Sequence, residues 1–91
     1  MKAVLLGEPA GKSREEIMPQ IMAAYPTHKA LVDEFVSRGL VIGIGPFTDF
    51  GNMGIFRSRE AAEEFASRDP FIQQGLVKSF VIREWNDELL K

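Results

Sequence analysis

The chain has no cysteine and only one histidine, His28. The first absence excludes disulfide staples, thiolate zinc sites, iron–sulfur clusters and cysteine nucleophiles together. The second leaves no multi-histidine metal site within one chain, so neither a metal nor another cofactor is expected. Long apolar runs are also missing. Ala3-Val4-Leu5-Leu6 stops at Gly7-Glu8-Pro9, short of a signal-peptide core of roughly 7–15 residues and of the about 20 residues of a membrane span. A cytoplasmic protein with no membrane partner is expected. No charge of one sign dominates: 11 Lys and Arg stand against 13 Asp and Glu, a net charge of −2. Nucleic-acid binders usually carry a basic excess, so nucleic acid is not an expected partner. At 91 residues the chain is expected to form one domain, 1–91, with no room for a two-domain dinucleotide enzyme or a TIM barrel.

Familiar short motifs are lacking as well. Gly43-Ile44-Gly45 has no third glycine at dinucleotide spacing and precedes a hairpin rather than a helix. An RNA-recognition domain would place basic and stacking aromatic residues on its third strand, and Gly51-Asn52-Met53-Gly54-Ile55-Phe56 lacks that pattern. None of Ser13, Ser37, Ser58, Ser67 and Ser79 stands in a nucleophile-elbow context.

What is present is a regular alternation of elements. Lys2–Gly7 reads as a short apolar strand, and Glu8-Pro9-Ala10-Gly11 as turn chemistry. Ser13 and Glu16 match a capping box. Pro19 and Pro26 interrupt the helical pattern that follows, which predicts helix over about 14–24 and again over 27–38, bent or broken between. His28 then lies near the start of the second piece, with Leu31, Val32, Phe35 and Val36 on its face and Gly39 as its stop. Strands are expected over Leu40–Phe47 and Asn52–Arg57, joined as a hairpin. A helix capped by Ser58 carries Ala61, Ala62, Phe65 and Ala66 and ends near Asp69-Pro70. The last strand is placed at Gly75–Trp85, with a polar tail over 86–91.

The order β-α-β-β-α-β gives an α+β, ferredoxin-like layer: four antiparallel strands with the helices on one face. In that topology the start of the first helix, the end of the second strand and the end of the second helix share one end of the sheet. Those positions hold His28, Gly45-Pro46 and Asp69-Pro70-Phe71. Helical phase turns both His28 and Asp69 toward the sheet, so a His–Asp hydrogen bond is geometrically plausible. Such a bond fixes the imidazole tautomer and equips the ring as a general base. Taken singly, His28 is as well explained as a packed residue on an apolar stripe, and Asp69 as a helix terminator before Pro70. Their convergence is what raises the catalytic reading.

Strand composition supplies a second expectation. In strand two, Leu40, Ile42 and Ile44 alternate with Val41, Gly43, Gly45 and Phe47; in strand four, Leu76, Phe80 and Ile82 oppose Val77, Val81 and Trp85. A sheet covered on one face only should be polar on the other. Both faces are largely apolar here, so a second copy packed sheet to sheet, a homodimer, is expected.

Several of these residues together resemble the YciI-like (YCII-related) family: His28 opening the helix, Ser37-Arg38-Gly39-Leu40-Val41 leading to Gly45-Pro46, Ser58-Arg59-Glu60-Ala61-Ala62, Asp69-Pro70-Phe71, and Gly75-Leu76-Val77 running to Trp85. The resemblance covers about residues 27–85. It implies a dimeric α+β barrel with a His–Asp active site, carried over as His28 and Asp69, and a pocket shaped by Gly45, Pro46, Pro70 and Phe71. Some members of the family are lyase- or dehydrochlorinase-like enzymes acting on small aromatic or oxidised ring compounds. The chain departs from the family where an arginine often precedes the histidine. Here the run is Ala23-Ala24-Tyr25-Pro26-Thr27, and Tyr25 or Lys29 replaces that arginine by position only.

The function these readings favour is a cofactor-independent enzyme of lyase or isomerase type on a small-molecule substrate. His28 is its general acid/base and Asp69 the orienting partner. Two other readings fit the sequence: a non-catalytic small-ligand-binding or accessory dimer, and a cofactor-free oxygenase.

Overall fold

The computed structural model describes residues 1–88. Its elements are β1 (Lys2–Pro9), α1 (Arg14–Ser37), β2 (Val41–Pro46), β3 (Asn52–Phe56), α2 (Arg59–Arg68), α3 (Pro70–Gln73) and β4 (Val77–Trp85). The four strands form one antiparallel sheet in the order β2-β3-β1-β4, the ferredoxin-like arrangement expected from the element order. Of the polar tail expected over 86–91, residues 89–91 lie outside the described residues.

The expected division of the first helix does not occur. Arg14–Ser37 is continuous, with Pro19 and Pro26 inside it and Ser13 and Glu16 forming a reciprocal capping box. Each proline removes one helical N–H, leaving the carbonyls of Glu15 and Met22 without their usual donors. Both prolines lie on the solvent-facing side, where water hydrogen-bonds those carbonyls at little cost. The opposite side supplies the stabilisation: Ile17, Ala24, Leu31 and Phe35 are buried in a stripe along the helix. His28 therefore sits within the helix and does not open it.

The core lies between this helix layer and one sheet face. Ala3 and Leu5 of β1 and Phe56 of β3 meet Leu31, Phe35, Ala61, Ala62, Phe65 and Ala66. Phe35, Phe56 and Phe65 pack edge-on or tilted, with ring centroids 5.2–6.3 Å apart, the geometry favoured by the aromatic quadrupole. A second cluster of Ile17, Ala24 and Leu76, with Ile21, Phe50 and Phe71 against it, ties the first half of α1 to the end of the sheet.

Strand faces differ from strict alternation in two places. The β2–β3 register shifts between Val41 and Gly43, so Val41 and Ile44 both pack against the core. The β1–β4 register shifts between Glu8 and Pro9, and Val77 consequently faces the helices together with Ile82, instead of opposing it. One extra residue in a ladder reverses the parity beyond it, which simple alternation counting overlooks.

Above the core, Glu34 of α1 and Glu64 of α2 share Arg38 and Arg68, with contacts of 2.6–3.0 Å. Hydrogen bonding from Arg68, then from Arg38, holds the Glu34 carboxyl down at about 2. A carboxylate lowered in the folded state stabilises the fold above its unfolded value and loses that contribution as pH falls through the folded one. Glu34→Gln is thus expected to lower Tm at neutral pH, the gap closing as pH is taken from 4.5 toward about 2. Thermal melts of both proteins across that range check this; a gap independent of pH would exclude the linkage.

Candidate active site

Asp69 ends α2 and caps α3 with an extended backbone (φ −69, ψ 119), and its side chain accepts the Phe71 N–H at 3.1 Å. Pro70 occupies the first turn of α3, where a missing N–H costs nothing. The short helix closes on Gly75, at φ 73, with Gly75 N–H donating to the Ile72 carbonyl and Leu76 N–H to that of Phe71. This left-handed stop favours glycine and turns the chain into β4.

The same Asp69 oxygen, Oδ1, lies 2.8 Å from Nδ1 of His28. Asp69 is 1% exposed and the His28 side chain 15%. A carboxylate only accepts, so Nδ1 carries the proton and the neutral ring keeps its lone pair on Nε2. The imidazole is also stacked on Phe71, with centroids 4.0 Å apart and planes at 9°, and meets Phe65 edge-on at 6.2 Å. Hydrogen bond and stack together leave the ring one orientation. Nε2 makes no hydrogen bond among the described residues.

His28 forms part of the wall of a cavity of about 400 Å³ between residues 18–33 of α1 and the end of the sheet. The helix contributes Met18, Ile21, Tyr25, His28, Lys29, Val32 and Asp33; the other side contributes Ile44, Gly45, Pro46, Phe50, Asn52, Phe71, Leu76 and Val77. Apolar walls with few polar groups suit a small organic ligand. At one edge Lys29 donates to Asp33 at 3.0 Å, and this hydrogen bond raises the lysine above its usual range, keeping it cationic. Phe50 stands at φ 71, uncommon outside glycine, with its N–H on the Phe47 carbonyl and the Arg14 guanidinium 5.5 Å from its ring.

Of the residues singled out from sequence, His28 and Asp69 are in contact, and Gly45, Pro46 and Phe71 line the cavity with His28. Pro70 is buried and does not line it; its part is to start the turn that presents Phe71. Sequence reasoning passed over Met18, Ile21, Val32, Phe50 and Asn52. Met18 and Ile21 precede His28 by ten and seven residues and share its face once the helix is continuous, so reading a break at Pro26 concealed them; Val32 reads only as part of the apolar stripe. Among the described residues no group of three or more His, Asp and Glu could hold a metal ion, and no helix is long and apolar enough to cross a membrane.

The YCII-related domain model matches residues 1–86. The chain belongs to the YCII-related domain family. Among solved structures, this family member is similar to a 5-chloro-2-hydroxyhydroquinone dehydrochlorinase from Burkholderia phenoliruptrix in complex with 2,5-dihydroxybenzoquinone, with TM-score 0.71, 17% identity and 94% of each chain covered. That likeness establishes a shared fold. The search of curated proteins finds no match.

In this YCII-related chain, Asp69→Ala leaves two buried donors, Nδ1–H of His28 and N–H of Phe71, without an acceptor. The expected loss is about 2 kcal/mol or more, while Asp69→Asn, which retains a carbonyl acceptor, loses less. Urea unfolding of the two variants tests the order; equal losses would contradict it.

Proposed function

We propose that this YCII-related protein is a cofactor-independent enzyme that moves protons on a small hydroxylated or oxidised ring compound. The observation that carries this reading is the His28 ring, fixed at Nδ1 by Asp69 and lining the cavity, with no hydrogen bond to its second nitrogen among the described residues. A substrate hydroxyl placed at Nε2 gives up its proton there, and the Asp69 carboxylate offsets the positive charge of the resulting imidazolium. The electron pair left on oxygen conjugates into the ring. From there it takes up a proton at a ring carbon, which gives the keto isomer; where that carbon carries a halide, loss of a proton from a second conjugated hydroxyl then expels the halide with its own bonding pair. The first step alone is isomerisation, the two together eliminate HX, and neither needs an oxidant. The dehydrochlorinase of the same fold acts on a substrate of this chemistry, which supports the class.

Chloride release from a panel of chlorinated hydroxyhydroquinones is the test. His28→Ala is expected to reduce turnover about 10²- to 10⁴-fold, and full turnover by a folded His28→Ala protein would sink the proposal.

The working unit we infer is a homodimer joined through the open sheet face. Val4 and Leu6 of β1 alternate with the buried Ala3 and Leu5, and pair with Ile55, Met53 and Val81 on the neighbouring strands. These side chains form an apolar patch on the face opposite the helices, where Val81 is 55% exposed. Val81→Asp at the middle of that patch is expected to yield monomers by sedimentation. Wild-type protein sedimenting at 10.2 kDa would refute the dimer.

A further inference from the structure

Among the cavity residues contributed by the sheet, Asn52 alone has a polar side chain. It is the first residue of β3 and pairs with Gly7 of β1 on one side and Pro46 of β2 on the other. Its Oδ1 is buried and has no hydrogen-bond partner. A Cβ built on Gly7 would lie 2.4 Å from that oxygen and 2.7 Å from Val77, so only glycine at position 7 lets the amide lie flat against β1. An unpartnered buried amide oxygen is costly to a fold. Nothing in the core requires it: the same strand buries Phe56 without any polar group. Asn52 lines the cavity, and with Oδ1 sealed against Gly7 its remaining polar atom is Nδ2, a donor with no hydrogen bond among the described residues.

We infer that Asn52 is a substrate-reading residue that donates from Nδ2 to a carbonyl or oxyanion oxygen of the ligand, across the cavity from His28. This deepens the proton-transfer reading and rests on it for the reaction. The ligand class is narrowed to ring compounds with two conjugated oxygens, a hydroxyl for His28 and a carbonyl for Asn52, as in hydroxyquinones and cyclic hydroxyenones. When the hydroxyl proton passes to Nε2, the electron pair delocalises onto the second oxygen. A donor held there by the sheet, with no reorganisation required, stabilises the charge as it develops. Lys29, hydrogen-bonded to Asp33 at the cavity edge, is the other cationic or amide donor of the wall, and its long exposed side chain fixes no position.

Binding separates this inference from the catalytic one. Calorimetric titration with 2,5-dihydroxybenzoquinone as probe is run on wild type, Asn52→Leu and Asn52→Asp. Loss of one hydrogen bond to a charged oxygen is expected to weaken binding by Asn52→Leu about 10- to 100-fold. Asn52→Asp, which sets a carboxylate against the anion, should lose at least as much. The Tm of Asn52→Leu is expected to equal or exceed that of wild type, since an unpaired oxygen has gone; a merely structural asparagine would lower it. Unchanged affinity in folded Asn52→Leu overturns the assignment, and if that variant fails to fold, Asn52→Ala is judged by the same affinity criterion. Neither result depends on turnover, so a failure at Asn52 and a failure at His28 are told apart.

Discussion

A buried carboxylate is tolerated only where hydrogen bonds replace the water it has lost. Asp69, sealed at 1% exposure, meets that condition with donors from two elements, the His28 ring of α1 and the Phe71 N–H of α3. Its own backbone is the joint between α2 and α3. One side chain thus fixes three helical segments relative to one another. The Phe71 ring, presented by the turn that Asp69 caps, then stacks on the imidazole that Asp69 holds. Orientation of the histidine and closure of the turn are one event, and neither is available without the other.

The length of α1 determines where this leaves a cavity. A helix of 24 residues runs about 36 Å at 1.5 Å per residue, longer than any strand beside it. Its second half packs on the sheet through Leu31 and Phe35, while its first half overhangs the sheet end and rests on Leu76 and Phe71. His28 falls where the two supports meet. Prolines on the solvent side leave the apolar stripe intact, so the overhang remains a single rigid wall rather than a hinged pair.

Much of this was legible in the sequence because it rests on period and order. The element sequence leads to the sheet, and the apolar phase of Leu31–Phe35 and of Ala62–Ala66 turns His28 and Asp69 inward. The resemblance carried by Asp69-Pro70-Phe71 and its companions points to the same pair. What escaped was whatever depends on tertiary context overriding a local rule. Pro26 breaks a helix in isolation, but here packing of Ala24 and Leu31 on either side outweighs one lost hydrogen bond. The extra residues near Ile42 and at the Glu8–Pro9 step leave no compositional trace, yet they reverse the facing of Val41 and Val77. Asn52 carried no signal of its own, since its meaning comes from Gly7 across the ladder, a pairing that appears only once the register is known.

The departures from an optimal fold are also unevenly placed. Phe50 in the left-handed region, the unpaired amide oxygen of Asn52 and the exposed edge of Pro46 all lie on the cavity wall, while the aromatic core beneath α2 breaks no rule. Sites built for ligands are where local consistency is most often given up. The asymmetry also divides the chemistry by layer. The helix layer holds an imidazole whose orientation is set by Asp69, and the sheet holds the Asn52 amide against Gly7. On the proposed reading, a ligand lying between them is matched by both at once, which an apolar ring without oxygens on opposite edges does not satisfy.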